Sequence, residues 1–483
     1  MAADEMPAPV RADAVELWVH DIQTRVPFRY GIATLTGVPY VLVRLRLESE
    51  AGAAWGVAAD MLPPKWFRKD PDQPPADELA ELAGVVRHAA DLADGSAGES
   101  LFDWWKRLYD RQHGWGNAEG LPPLLSGFGA SLMERAAIDA WCRVQGTTFA
   151  EAVRAGGMGI DLTRIDTALE GVTPADVLPD RPLRSLAIRH TVGLGDPITA
   201  GDLAPGEHVR DGLPHTLEEV VRAYGVTHLK IKLPPDPAEA VDRLRAIAAV
   251  PCPAAAGFRF SLDGNECYRD VAGFREAWGR VTGDDALAGF LRGLLFIEQP
   301  LHRDVAVGDE VAAAMRAWAG RPPIIIDESD GDLTALPRAL EAGYAGTSHK
   351  NCKGVFRSIA AAARLRQAEA EHGRPAVHAA EDLCTVGPVA LPQDLAVVAT
   401  LGIPHVERNG HHYFRGLSMF AEPLQRQLLE RHADLYREHP DGFATLAVDR
   451  GRVSVGSVVD APFGVGFRPD LTGWRPLASW SPG

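Results

Sequence analysis

The strongest constraint in this 483-residue chain is a rhythm. From about residue 184 to 407, short apolar runs end in a polar residue, then a turn, then a helical pattern. LKIKL carries Lys232 near its end, FRFSLD ends at Asp263, LLFIE at Glu298 and PIIID at Asp327. TSHK follows with Lys350, AVH with His378 and HVE with Glu407. Successive end points lie 23 to 35 residues apart. One βα unit of a parallel sheet takes about 30 residues. With Ser185–Val192 as a first strand the series has eight units, the number that closes a barrel. Asp236, Pro237 and Glu239 mark a helix start, and Val241, Leu244 and Ile247 supply its buried face.

Ahead of the rhythm the chain reads as β, then α. Val15–Val19 and Tyr40–Leu47 alternate as strands, with loops at Val26–Gly37 and Met61–Gln73. Leu132–Val144 has apolar residues at helical spacing. Behind the rhythm a helix is expected within Gly416–His439, then a hairpin of Leu446–Val448 and Val453–Val455. A barrel has no need of that tail. The expected organisation is an α+β capping domain over 1–160, a (β/α) barrel over 180–415, and a segment 416–483 with the last barrel helix that returns to the capping domain.

A net charge of −16 makes nucleic acid and anionic membrane surfaces poor partners. No apolar run is long enough to span a membrane. The start, MAADEMPAPV, is no basic-then-apolar leader. Cys142, Cys252, Cys267, Cys352 and Cys384 form no CxxC, which points to reduced thiols in a cytoplasmic protein.

Strand ends of a barrel converge at its C-terminal face, where active sites lie. Asp263, Glu298 and Asp327 end three consecutive strands. Held together, three carboxylates repel, and a hard divalent cation removes the repulsion. Mg²⁺, which leaves positions open for water or substrate, suits them better than Zn²⁺. Lys230 and Lys232 share one face of their strand. Lys350 lies beyond the acids, so Lys232 and Lys350 are expected on opposite sides of the metal. An amine near a cation and a second amine has a lowered pKa and serves as a base. This is machinery for removing a proton α to a carboxylate, the metal stabilising the enediolate.

Taken singly, a Lys-x-Lys is usually a solvated face and an acid after an apolar run usually a cap; their order at βα spacing makes the case. Other positions stay open. His378 and Glu407 fit either a structural place or the active site. Lys353 fits a second active-site cation or a helix start. Glu328 fits an outer support for Asp327. Trp66 and Phe67 fit a lid or plain packing, and His411–His412 read as loop residues. No GxSxG, Walker A run or strand–GxGxxG–helix stands in the chain.

The stretches LKIKL (Leu229–Leu233), SLDGN (Ser261–Asn265), FIEQP (Phe296–Pro300), IIDES (Ile325–Ser329) and SHKNCKG (Ser348–Gly354) resemble the enolase superfamily, in its mandelate racemase and muconate-lactonizing branch. VPFRYG (Val26–Gly31), AAIDAW (Ala136–Trp141) and DRGRV (Asp449–Val453) add to it. The resemblance implies an α/β fold: a modified TIM (β/α) barrel with an N-terminal α+β capping domain. It implies Mg²⁺ on Asp263, Glu298 and Asp327, and Lys232 as one acid/base aided by Lys230. It implies Lys350 as the opposite acid/base, as in the two-lysine subgroup of muconate cycloisomerases, o-succinylbenzoate synthases and dipeptide epimerases. The capping loops near Arg25–Thr36 and Met61–Phe67 would select substrate, which makes Arg25, Tyr30 and, within SLDGN, Asn265 candidates for substrate contact. Two features depart from the pattern. Val355 stands where a second glycine is frequent, and His378, which is similar to the seventh-strand histidine of the racemase type, has no Asp near the sixth strand's end to partner it.

The expected activity is a Mg²⁺-dependent isomerase (racemase, epimerase or cycloisomerase) acting on a small carboxylate. The alternative is a lyase, an acid-sugar or hydroxy-acid dehydratase using the same intermediate. A metal-binding barrel without catalysis is a third reading. A symmetric homo-oligomer is expected.

Overall fold

The computed structural model describes residues 8–482; Met1–Pro7, most of the stretch read for a leader, lies outside them. The chain opens with three antiparallel strands, β1 (Val10–Tyr30), β2 (Ala33–Ser49) and β3 (Gly52–Met61). The expected loop Val26–Gly37 is instead the far end of the β1–β2 hairpin, with Phe28 opposite Leu35 and Tyr30 opposite Ala33. Its period-two burial continues through Val26, Phe28 and Tyr30, which Pro27 conceals at the level of sequence.

Three helices follow: α1 (Pro75–Ala93), α2 (Leu101–Ala118) and α3 (Pro123–Gln145). The helix expected at Leu132–Val144 is the second half of α3. Every residue from Leu124 to Cys142 is buried. A helix buried on all sides must lie between two layers. One side of α3 lies on β3, where a Cβ on Gly56 would stand 2.1 Å from the Ala136 carbonyl oxygen. Its other side reaches the barrel: Glu134 accepts a 2.7 Å hydrogen bond from the Phe356 N–H, at the start of the helix Val355–His372.

The rhythm read in the sequence is the barrel. Its strands, first to eighth, are Ser185–Val192, His228–Lys232, Arg259–Asp263, Leu294–Glu298, Ile324–Ile326, Gly346–His349, Val377–Ala380 and His405–Arg408. All neighbours pair in parallel from first to seventh, and the eighth pairs in parallel with the first. Among the described residues the seventh and eighth share no ladder. Asp236 caps the helix after the second strand as expected, accepting from the Ala238 and Glu239 N–H groups.

The tail differs from expectation. The helix expected in Gly416–His439 spans only Glu422–Arg431. The expected hairpin does not form: Ala444–Leu446 pairs with Tyr436–Glu438, and Arg452–Ser454 pairs antiparallel with the first barrel strand. Both are short segments whose partners are remote from the Asp449–Gly451 turn that suggested the hairpin. Arg475–Pro476 then pairs with β1, so the end of the chain does reach the capping sheet. No described helix is long and apolar enough to cross a membrane, and the five cysteines are free.

Candidate active site

Strand register sets the site. Lys232, Asp263 and Glu298 are Cα partners across the second, third and fourth strands, each the last residue of its strand. Asp327, Lys350 and Glu381 follow the fifth, sixth and seventh strands by one residue. All six are buried. The alternation of a strand turns Lys230 to the same side, one layer deeper.

Lys230 is the hub. Its ammonium lies 2.7 Å from Glu298, 2.9 Å from Glu381, 2.9 Å from Glu407 and 3.1 Å from Asp263. Burial opposes its charge, but Glu298 and the other acids hold its pKa well above the ordinary lysine value. Lys232 donates to Asp263 at 2.6 Å. Lys350 donates to Asp327, and Lys353 lies 2.9 Å from the other oxygen of that carboxylate. Despite burial, Asp327 holds the Lys350 amine above the ordinary lysine value.

The acids respond unequally. Despite burial, Lys350 and Lys353 hold Asp327 well below the usual carboxylate range, and Lys232 and Lys230 lower Asp263. Burial, then Asp263 and Glu381, push Glu298 well above it. Burial and Asp327 push Glu328 up to about 7. Glu328 buries a carboxylate oxygen with no hydrogen bond, while the Glu298 Oε2 lies against the Lys230 ammonium. Among the described residues no three acids are arranged to cage an ion as they stand, because ammonium groups lie on their inner oxygens. The donor set still fits a hard cation. It is all carboxylate oxygen, and burial with the neighbouring acids keeps Glu298 raised even beside the Lys230 ammonium. Asp263, Glu298 and Asp327 could hold such an ion once the Lys230 amine leaves the space between the first two.

Over this floor lies a cleft of ≈ 380 Å³. Lys232, Asp327, Glu328, Lys350 and Glu407 form its base; Phe28, Tyr30 and Leu35 of the hairpin, and Pro63 and Trp66 after β3, form its wall. The Lys350 ammonium sits 4.6 Å from the centre of the Trp66 ring. The Trp66 loop is tied to the barrel by Arg303, which donates to the Trp66 carbonyl at 2.9 Å while paired with Glu266. Phe67 turns inward against Phe128, so of the two aromatics only Trp66 faces the cleft.

Other expected residues fall as follows. Glu407 is central, accepting from Lys230 and from Thr191 at 2.7 Å. Asn265 lies beside the acids; its N–H donates to Asp263 at 2.9 Å and its side-chain oxygen is buried without a partner. The Tyr30 ring lines the cleft, with its hydroxyl engaged by the Pro64 carbonyl at 2.8 Å. Arg25 is not at the site. It is a strut, held by Asp211 at 2.6 Å and by the carbonyls of Pro214 and His412. His378 is not at the site either. It lines a separate cavity with Ser358 and Arg364 of the helix Val355–His372. His411 and His412 are buried in a short helix rather than a loop. The residue that His378 displaced in the reading is Glu381, three positions on. It binds Lys230 and Arg189, which hold it down to about 2 against the effect of burial.

Known proteins share the fold. Residues 213–438 fit the family model described as enolase C-terminal domain-like. These residues belong to that family. No curated protein matches the chain. Solved structures similar to the chain include a muconate lactonizing enzyme from Mucobacterium smegmatis complexed with muconolactone. It has 17% identity and a TM-score of 0.56, over 98% of this chain and 99% of that one. A dipeptide epimerase from Enterococcus faecalis V583, complexed with Mg and the dipeptide L-Leu-L-Tyr, has 12% identity and a TM-score of 0.58, over 94% and 99%. An enolase from Bradyrhizobium, complexed with magnesium and mandelic acid, has 15% identity and a TM-score of 0.57, over 98% of each. At these identities the likeness is one of fold.

Proposed function

We propose that the chain is a Mg²⁺-dependent racemase, epimerase or cycloisomerase that removes the proton α to a substrate carboxylate. One observation carries the reading: Lys232 and Lys350 stand at the two ends of the row Asp263, Glu298, Asp327 and open on one cleft. A substrate whose carboxylate lies over that row has its α-carbon between two amines. One takes the proton from one face, and the other delivers a proton to the opposite face or to the product carbon. Lys230 takes no part in that transfer; with Asp263 and Glu298 given to the metal, Glu381 and Glu407 would still keep it protonated. Mg²⁺ on Asp263, Glu298 and Asp327 would neutralise the charge that builds on the substrate carboxylate. With Asp327 serving as a ligand, its hold on the Lys350 ammonium would weaken, and that amine could then work as a base.

The wall of the cleft favours an isomerase over an acid-sugar dehydratase. On the capping side Phe28, Leu35 and Pro63 offer no partner for sugar hydroxyls and the Tyr30 hydroxyl is engaged, while the polar groups Asp382, Glu407 and Asn409 lie on the barrel side. A carboxylate with a compact apolar group fits better, in keeping with the mandelic acid and L-Leu-L-Tyr of two structural neighbours. The test is a library of chiral aryl and alkyl carboxylates in D₂O with Mg²⁺, followed by proton NMR. Loss of an α-proton signal without loss of water is the expected result. Water loss confined to polyhydroxylated acids would move the assignment to the lyase. No exchange with any carboxylate would refute both. A homo-oligomer is part of the proposal, and a monomeric mass in sedimentation at micromolar concentration would refute that part.

A further inference from the structure

The opposite end of the barrel carries a second feature that the chemistry above does not use. A crevice of ≈ 1280 Å³ opens where the fifth and seventh strands begin. Three arginines line it: Arg316 from the helix Asp309–Ala317, Arg321 from the loop before the fifth strand, and Arg374 from the loop before the seventh. No acid lines it, in a chain whose net charge is −16. Among the described residues none of the three has a carboxylate within ion-pair distance. Two are aimed by backbone: Arg316 donates to the Glu341 carbonyl at 3.0 Å, and Arg321 to the Gly343 carbonyl at 2.6 Å. Both flank Gly343, whose absent Cβ would lie 3.1 Å from an Arg321 nitrogen and 3.6 Å from the Arg316 chain. Around these cations the wall is apolar, with Leu295, Trp318, Pro322, Leu340 and Tyr344.

Three guanidiniums without a carboxylate partner on one concave lining make a local positive potential that draws in an anion. Planar guanidinium forks match phosphate oxygens two at a time. The apolar wall asks for a carbon body on the same ligand. We infer that this crevice binds a free small phosphate monoester bearing an aryl or alkyl group. Its charge of nearly −2 at neutral pH answers the arginines, and its carbon group covers the wall.

Phenyl phosphate and inorganic phosphate, titrated calorimetrically into the full-length protein, test this. Phenyl phosphate should bind saturably, and inorganic phosphate about tenfold more weakly for want of the apolar contact. Arg316 and Arg374 are exposed, so Arg316→Gln and Arg374→Gln leave the fold intact. Each should weaken phenyl phosphate about tenfold or more, the scale of one charge-assisted hydrogen bond. Lys350→Ala should not change its affinity. Loss of binding in Lys350→Ala with none in Arg374→Gln would place the ligand in the catalytic cleft and overturn the inference. So would the absence of saturable binding. Co-sedimentation with phosphatidylglycerol vesicles, without binding of phenyl phosphate, would assign the arginines to a membrane surface and overturn it equally.

Discussion

Lys230 and Lys232 are two positions apart on one strand, yet their neighbours separate them. Lys230 meets four carboxylates; Lys232 meets Asp263 and opens on the cleft. Removing the Lys230 charge leaves Glu298, Glu381 and Glu407 buried together. Lys230→Met should therefore lower stability by about 3–5 kcal/mol in urea unfolding. Lys232→Ala and Lys350→Ala should act on chemistry instead. Each should cut turnover of a chiral substrate by roughly 10²–10⁴-fold. Each should still exchange the α-proton of one enantiomer with D₂O, the opposite one in the two variants. Loss of exchange with both enantiomers in Lys232→Ala alone would mean a one-base mechanism. The acids and lysines of this row were legible because a residue ending an apolar run is placed by the strand itself. Glu381 was not, because the run AVHAAE ends three residues beyond the histidine that drew attention. Arg25 could not be read as a strut, since Asp211 lies 186 residues away.

Helix α3 ties cap to barrel through one carboxyl. Glu134 is fully buried, and burial raises it from 4.5 to about 7, although the Phe356 and Val355 N–H groups pull it down. An acid raised in the folded state keeps a proton that the unfolded chain has released. The stability it contributes is thus present at low pH and lost as pH rises from about 4.5 to about 7. Glu134→Gln keeps an acceptor without the titration. Its melting temperature should gain on the parent's between pH 5 and pH 7.5; a constant difference would refute the assignment. The hairpin arm belongs to the same scale. Phe28 stacks on Tyr413 with ring centres 4.2 Å apart and lies tilted against Tyr30 at 4.9 Å. Phe28→Ala should cost about 3–5 kcal/mol, and should raise KM more than it lowers kcat, because the wall loosens while the lysines stay. The hairpin escaped the sequence reading because a proline and two arginines sit on its arm, and only pairing with β2 shows it to be a strand.

At the scale of the whole molecule, the barrel was legible as a repeat of nearly constant length, which no single motif supplies. The tail was not, because Arg452–Ser454 takes as partner a strand about 270 residues earlier in the chain, and short strands carry little pattern of their own. The surplus of buried acid at the mouth makes a global prediction. Mg²⁺ at about 100 times its dissociation constant should add about 2.7 kcal/mol of stability, and EDTA should remove it. Thermal melts with and without EDTA read this directly. Asp263→Asn should abolish the difference. An unchanged melting temperature in saturating Mg²⁺ would refute the metal assignment.

The missing ladder between the seventh and eighth strands bears on how the chain folds. In its place Arg189 reaches the Ala380 carbonyl at 3.0 Å, Glu407 accepts from the Asp382 N–H at 2.9 Å, and Lys230 joins Glu381 to Glu407. These contacts draw on the first, second, seventh and eighth strands, so they cannot form until nearly all of the barrel has been laid down. Pairings of such long sequence separation are made late, after the entropy of the intervening loop has been lost. Substitutions at Arg189 or Glu381 should therefore speed unfolding while leaving the refolding rate almost unchanged.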